Sequence, residues 1–194
     1  KVIEVTDIVI CQGKEIHYQK YVYYMLNKPE GVVSATNDNT APTVVSLLTV
    51  PEQKELFPVG RLDKDTEGLL LITNDGELAH RLLSPKKHVD KVYYAKVQGK
   101  VDESDVKAFA DGVDIGDDTP VKSADLRILK SGEESEIELT ITEGRFHQVK
   151  RMFHAVGKEV IYLKRLSMGS LALDKTLTKG EYRSLTEEEI KKLC

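Results

Sequence analysis

Cysteine and long apolar runs are scarce in this chain. Its two cysteines, Cys11 and Cys194, lie one near each end and offer neither a metal-type pair nor a dense disulfide framework. No apolar run approaches the roughly 20 residues of a membrane-spanning helix. The stretch 1–10 alternates polar and apolar residues and does not resemble a signal peptide. We therefore expect a reduced, cytoplasmic protein with no membrane association.

The chain has no net positive charge, and its basic residues are unevenly distributed. The net charge is −4, which taken alone argues mildly against a nucleic-acid partner, because phosphate binding depends on Lys and Arg. Six Lys/Arg and one acidic residue lie within 81–100, and six Lys/Arg and two acidic residues lie within 143–165. The segment 101–142 holds twelve acidic and four basic residues. This segregation is typical of a basic surface that faces RNA, and equally of solvated faces of mixed sign.

Strand-like segments outnumber helix-like segments. Alternating patterns and short apolar runs predict strands at 21–26, 32–36, 68–73, 91–97, 124–129, 136–142 and 160–163. Helical patterns with turn or capping residues predict helices at 77–83, 104–111 and 147–156, and a last helix that opens at Thr186. Strand–helix–strand units seldom alternate cleanly. We therefore predict an α+β fold with a mixed, mainly antiparallel sheet and flanking helices.

The most informative segment is a polar loop that precedes the apolar strand at 68–73. Loops anchored on rigid strands often hold functional sites, and this one carries Arg61, Asp63, Asp65, Thr66 and Glu67. Its acidic residues fit the first, third and fifth positions of a calcium-binding EF-hand loop, but the twelfth position is Asn74 where Glu is needed. A calcium site is therefore a weak hypothesis.

Three other interpretations of this loop remain open on the residues alone. Asp63 and Asp65 could form the carboxylate pair of a glycoside hydrolase, although they lie too close in sequence to flank a sugar without a third partner. A single Asp held by surrounding cations could act in catalysis. A polar turn with solvated acidic side chains is the interpretation that needs no function.

Four segments, in the same order along the chain, resemble the motifs of the pseudouridine synthases. The loop itself is similar to the family signature, with Gly60, Arg61, Leu62, Asp63, Thr66, Gly68 and Leu69 at matching positions. The other three segments are Asn27-Lys28-Pro29-Glu30-Gly31, Lys91-Val92-Tyr93 and the stretch from Gly144 to Met152. Four ordered motifs are far more specific than any one of them, and the resemblance extends from about Tyr21 to the end.

The resemblance implies a role for each matching residue. It implies that Asp63 is the essential carboxylate, that Lys150 pairs with it, and that Tyr93 stacks on the uracil of a nucleotide flipped out of its stack. Asp63 would act as a nucleophile or as a base, on the uracil or on the sugar. We further expect substrate contacts from Arg61, Leu71, Lys28, Arg145 and Arg151. The family reaction implies no metal and no cofactor.

Within the family, the chain looks most like the branch that modifies ribosomal RNA at one site. The stretches 83–88 and 169–190 are closest to enzymes of the small subunit, so we expect a 16S rRNA or a small-subunit assembly intermediate as partner, with uridine-516 as target. A 23S rRNA site, or a non-catalytic RNA-binding or ribosome-assembly module, is the alternative. We expect a monomer with its catalytic domain at 21–194. Residues 1–20 would be a linker or the tail of an amino-terminal S4-like RNA-binding domain.

Overall fold

The computed structural model describes residues 9–11, 14–16 and 20–193. The strands in these ranges are β1 (Val9–Cys11), β2 (Lys14–Ile16), β3 (Tyr23–Lys28), β4 (Phe57–Pro58), β5 (Glu67–Thr73), β6 (Lys91–Gln98), β7 (Asp125–Lys130), β8 (Glu134–Ile141), β9 (Glu159–Met168), β10 (Leu171–Ala172) and β11 (Tyr182–Ser184). The α-helices are α1 (Gly76–Leu83), α2 (Glu103–Asp111), α3 (Gln148–Ala155) and α4 (Glu187–Leu193).

Nine of the described strands form one mixed sheet, which confirms the predicted α+β class. The main path runs β11-β3-β5-β9-β6-β8-β7, with β4 paired to β5 and β10 paired to β9. Strands β5 and β9 run parallel, whereas the other described pairs are antiparallel. Because β5 and β9 are parallel, the segments that precede them lie at the same end of the sheet. The polar loop before β5 and helix α3 before β9 therefore meet there.

Apolar side chains on the two faces of the sheet fill two separate clusters. Leu70 and Ile72 of β5 belong to a cluster that includes side chains of α2 and α3. Leu69 and Leu71 belong to a second cluster with side chains of α1 and α4. All seven residues of β5 are buried, because an apolar cluster lies on each face of the strand. This double coverage explains why β5 reads as a continuous apolar run and not as an alternating one.

Most predicted elements are confirmed, but two predictions about local structure are wrong. The segment 32–36 is not a strand: Val33 makes one isolated bridge to Thr43. The Ser34 hydroxyl instead donates to the carbonyl of Leu62 at 2.8 Å and accepts from its N–H at 3.0 Å. The segment thus braces the polar loop. The helical pattern predicts that Leu83 shares one apolar face of α1 with Leu78 and Leu82, but Leu83 is 45% exposed.

The predicted division at residue 20 falls mostly outside the described residues. Of the first twenty, the structure describes β1 and β2, which pair as an antiparallel hairpin, together with Lys20. The division into a linker and a catalytic domain therefore stays a prediction. No helix within the described ranges is long and apolar enough to cross a membrane.

Candidate active site

A buried lysine anchors the polar loop before β5 through hydrogen bonds to its main chain. Lys28 at the end of β3 is 0% exposed, and its ammonium donates to the carbonyls of Asp63 and Thr66 at 3.0 and 2.8 Å and to that of Lys64 at 3.3 Å. Burial lowers the pKa of Lys28 to about 8, against the opposing charges of Asp65 and Asp63. The ammonium of Lys28 thus holds the loop from its buried side, and the expected contact of Lys28 with substrate stays a prediction.

A glycine allows the loop to enter the sheet. Gly68 has φ +103°, and a Cβ there would lie 2.8 Å from the backbone nitrogen of Arg165 and 2.9 Å from Cγ of Lys164, with the carbonyl oxygen of Arg165 nearer still. The conformation and the close approach both require glycine. Gly68 therefore explains one position of the motif: it lets the start of β5 pair directly with β9.

Asp63 lies beside a lysine and a histidine from the start of α3. Its carboxylate oxygens are 3.0 Å from Lys150 Nζ and 3.5 Å from His147 Nε2. Lys150 also binds Asp65, whose carboxylate is 2.6 Å away. Partial burial alone would lower the pKa of Lys150, but its bonds to Asp65 and Asp63 outweigh burial and raise it. Lys150 is therefore a fixed positive charge at neutral pH, 3.0 Å from the carboxylate of Asp63.

The two neighbouring acids differ in their surroundings. The Asp63 side chain is 26% exposed and lines a cleft between the loop and α3, whereas the Asp65 side chain is 62% exposed. Burial alone would raise the pKa of Asp65, but its hydrogen bond with Lys150 and the charge of Lys150 lower it overall. Asp63 is thus the more enclosed carboxylate, and Asp65 is an outer partner of the same lysine.

An open cleft with an apolar wall adjoins Asp63. The wall consists of Tyr93, Leu163, Leu62, Ile141 and Val149. Tyr93 is 8% exposed and lies on the face of β6 that contributes to the first core cluster. The structure therefore brings Asp63, Lys150 and Tyr93 to one cleft, with Arg61 and Arg145 at its border. A planar base could lie against this wall with its edge towards Asp63.

Two residues near the cleft are placed differently from expectation. Alternation along β6 predicts that Tyr94, the neighbour of Tyr93, packs in the core on the opposite face of the strand. It is half-buried, and its hydroxyl donates to Glu136 at 2.8 Å. Leu71 was expected to line the pocket, which is wrong: it is fully buried in the second core cluster, on the other face of the sheet. Leu163 of β9 lines the cleft in place of Leu71. The alternation of residues along β5 could not predict this, because Leu163 lies on a different strand.

Arg145 and Arg151 hold a loop against the start of α3. Arg145 donates to the carbonyls of Thr119 and Pro120 at 2.6 and 2.8 Å, and Arg151 donates to that of Ile115 at 2.7 Å. Both guanidinium groups also pair with Asp117. Contact of either arginine with phosphate stays a prediction, and it would require some of these bonds to be exchanged for bonds to RNA.

His147 is the residue of the site that the sequence interpretation missed, because scattered histidines are usually surface or core residues. It adopts a left-handed backbone conformation, with φ 48°, directly before α3. Its ring stacks on that of Phe146, with centroids 3.8 Å apart and an angle of 17° between the planes. The available signal was its position inside the motif, three residues before Lys150.

The carboxylates of the loop do not converge on a common point. Asp63 and Asp65 face Lys150, whereas Glu67 accepts from the Tyr162 hydroxyl at 2.6 Å and pairs with Lys179 at 2.7 Å. This division contradicts the calcium-loop hypothesis. Within the part of the chain that the structure describes, no group of three or more His, Cys, Asp or Glu side chains is placed to hold a metal ion.

Glu67→Gln tests how the loop is anchored to β9. Burial alone would raise the pKa of Glu67, but bonds from Lys179 and Tyr162 outweigh it and lower the pKa. The ionised form is therefore favoured in the folded state. The ionised Glu67 carboxylate therefore adds to the free energy of unfolding above the unfolded pKa of about 4.3. This stabilisation is lost as the pH falls through the lower pKa of the folded state. We expect the variant to be less stable by about 2 kcal/mol at pH 7.

Urea denaturation of wild type and Glu67→Gln at pH 7 and pH 3.5 measures this contribution. The difference in the free energy of unfolding should be smaller at pH 3.5, because this pH lies below the unfolded pKa of about 4.3 and the unfolded wild-type chain then binds a proton at Glu67. A difference that stays constant between the two pH values would show that the charge of Glu67 does not anchor the loop.

Comparison with known proteins places the chain in a family. The family model for RNA pseudouridylate synthase matches residues 22–155. The chain is 53% identical over 188 residues to the uncharacterized RNA pseudouridine synthase YtzG of Bacillus subtilis, a match that covers 95% of this chain and 78% of that protein. It is 40% identical to ribosomal small subunit pseudouridine synthase A of Haemophilus influenzae, covering 100% of this chain and 86% of that protein.

Solved structures agree with the sequence matches. A crystal structure of a pseudouridylate synthase superposes with a TM-score of 0.85 at 40% identity, covering 100% of this chain and 83% of that chain. A human protein, RNA pseudouridylate synthase domain containing 1, has a TM-score of 0.54 at 18% identity, and this likeness concerns the fold alone. The family model spans more than half of the chain, and the two bacterial relatives exceed 30% identity over most of their length. The chain belongs to the RNA pseudouridylate synthase family.

Proposed function

We propose that this protein converts one uridine of 16S ribosomal RNA to pseudouridine, with uridine-516 as the target. The observation that carries the proposal is the ion pair of Asp63 and Lys150, 3.0 Å apart at an apolar cleft that contains Tyr93. The choice of 16S RNA rests on the names of relatives 40 to 45% identical, which are small-subunit enzymes. We propose a cytoplasmic monomer whose catalytic domain is 21–194, preceded by the tail of an S4-like domain.

The chemistry requires a carboxylate beside a detached base. The N1–C1′ bond of uridine breaks and a C5–C1′ bond forms, while C5 loses a proton and N1 gains one, so atoms and charge balance without an oxidant or a reductant. Asp63 acts as the nucleophile or base in this sequence, and both roles require its ionised form. Lys150 places a positive charge 3.0 Å from that carboxylate, and the charge of Lys150 is itself held by Asp63 and Asp65. Preorganised charges of this kind need little rearrangement during reaction.

The apolar wall provides a place for the uracil ring. Tyr93, Leu163 and Ile141 present flat or branched apolar surface next to the carboxylate, and an aromatic ring can stack on a base that has left its helix. Thr66 also lines the cleft, and its buried hydroxyl has no hydrogen-bond partner among the described residues. A buried polar group without a partner is unfavourable, so the edge of a bound uracil is a suitable partner for Thr66.

Basic side chains continue from the cleft along the surface. The main-chain N–H of Lys122 donates to Glu143 beside Arg145, and the Lys122 ammonium lies 3.1 Å from Nδ1 of His88. The exposed Lys86 and Lys87 directly precede His88. Lys122 therefore links the first basic stretch, at His88, to the second, at Glu143, although the overall charge of the chain is negative. This arrangement supports the proposed contact with phosphates of RNA.

Pseudouridine mapping by carbodiimide-stalled primer extension tests the proposal. Unmodified 16S rRNA, free or in a partial small-subunit particle, is treated with the full-length protein or with its Asp63→Asn variant. One new stop in 16S rRNA, absent with the variant, is the expected result. A stop only in 23S rRNA would keep the reaction and overturn the substrate. No stop in either RNA with folded protein would favour a non-catalytic RNA-binding module.

A further inference from the structure

An exposed aromatic pair lies at the edge of the cleft. Phe146 is 76% exposed, an unfavourable position for a large apolar ring in water, whereas Phe109 and Phe153 are fully buried. One face of the Phe146 ring lies against the His147 ring, with centroids 3.8 Å apart. Because most of its side chain is open to solvent, the other face is available for contact. Together, Phe146 and His147 form an aromatic shelf.

The aromatic shelf is held rigidly although it lies in a loop. The left-handed conformation of His147, with φ 48°, is unfavourable for a residue with a Cβ and persists only where the surroundings enforce it. The carbonyl of Phe146 accepts from Arg151 at 3.1 Å, and the N–H of Arg145 donates to the side chain of Gln148 at 2.9 Å. The ring of Phe146 is therefore presented to solvent by a braced backbone.

The position of the shelf suggests what it binds. His147 Nε2 lies 3.5 Å from a carboxylate oxygen of Asp63, so a single histidine ring separates Phe146 from the reacting carboxylate. The cationic residues Arg145, Lys150 and Arg151 lie with the shelf within seven residues of sequence, and the Arg151 guanidinium donates to the carbonyl of Phe146. An exposed aromatic ring among cations is typical of sites that bind single-stranded nucleic acid, where bases stack and phosphates pair with charge.

We propose that the aromatic shelf stacks on the unpaired base next to the target uridine. This inference rests on the proposed function, because it assumes an RNA substrate whose uridine enters the cleft beside Asp63. Removing that uridine from its stack leaves the neighbouring base without a partner on one side, which is part of the energetic cost of base flipping. The open face of Phe146 replaces the lost stacking partner. The shelf therefore recognises an unpaired base through its planar face, independent of its hydrogen-bonding edge.

Phe146→Ala is expected to raise KM for the RNA about tenfold, with kcat changed much less, because the ring does not touch the reacting atoms. Phe146→Tyr should restore the wild-type KM, since the planar ring is kept. Leu129→Ala is the matched control: Leu129 is also an exposed apolar residue, 43% exposed on β7, and its loss should leave KM unchanged. Unchanged KM in Phe146→Ala would overturn the proposal.

A second experiment tests whether the aromatic shelf contacts the base next to the target uridine. The substrate RNA is made with an abasic nucleotide on one or the other side of the target uridine, and KM is measured with wild type and with Phe146→Ala. One abasic position should raise KM about tenfold for wild type and have little further effect in Phe146→Ala. Abasic effects that are equal in both proteins would show that the base does not rest on Phe146.

A binding measurement separates this inference from the proposed reaction. The Asp63→Asn protein is titrated with a 16S rRNA fragment that carries 2-aminopurine next to uridine-516, and fluorescence reports stacking without any turnover. Quenching that disappears when Phe146→Ala is added to Asp63→Asn supports the shelf, even if wild type were to form no pseudouridine. Quenching that survives the loss of the ring would overturn the shelf while leaving the proposed reaction intact.

Discussion

Replacing Asp63 with Asn is expected to lower the single-turnover rate of pseudouridine formation by at least about 10⁴-fold, the upper end of what a positioned general base contributes; the loss of a nucleophile would lower it by about 10⁶-fold. Asn keeps the shape of the side chain but has neither the negative charge nor the basicity that the reaction needs. The Asp63 side chain is 26% exposed at the cleft, so the fold should be retained. The measurement is the rate of carbodiimide-detectable pseudouridine at saturating enzyme.

Asp65→Asn is the matched control for this prediction. Asp65 lies two residues away, shares Lys150 at 2.6 Å, and has a side chain that is 62% exposed. We expect its replacement to lower the rate less than tenfold, because exposed ion pairs contribute little and Lys150 keeps its contact with Asp63. Equal, large losses in both variants would contradict a single catalytic carboxylate and would favour a reaction that uses the two acids as a pair.

The sequence predicted the composition of the site better than its geometry. The resemblance paired Asp63 with Lys150 across 87 residues of sequence, and the structure places them 3.0 Å apart. Nothing in either segment alone indicates this contact. It follows from the parallel pairing of β5 with β9, a long-range feature that local hydrophobic patterns do not encode. The resemblance to the family motifs thus predicted a tertiary contact, between Asp63 and Lys150, that hydrophobic periodicity did not predict.

Charged residues were the hardest to place from the sequence. Strand β9 was predicted to end at 163, directly before Lys164 and Arg165, yet it continues to Met168. Arg165 is 2% exposed and donates to the carbonyl of Leu69 at 2.8 Å. A buried charge is tolerated only with partners from distant segments. Sequence reading assigns such residues to the surface, since the partners become visible only in the folded chain.

Lys28, at the active site, is another charged residue whose burial the sequence did not predict. Its replacement is expected to have a large effect on both stability and catalysis. Lys28→Met should lower the free energy of unfolding by about 3 kcal/mol, because the buried carbonyls of Asp63 and Thr66 lose their donor. It should also lower kcat about 100-fold, since a displacement of about 1 Å in the loop moves Asp63 away from the reacting atoms. Urea denaturation and single-turnover kinetics measure the two effects.

Lys64→Met is the control that separates positioning from RNA binding. Lys64 lies in the same loop but is exposed, so its replacement should change stability by less than about 0.5 kcal/mol and leave kcat unchanged. A lysine that contacted phosphate would instead raise KM and reduce its dependence on salt when replaced. Lys28→Met with normal stability, normal kcat and a raised KM would therefore refute the positioning role, and support Lys28 as a substrate contact.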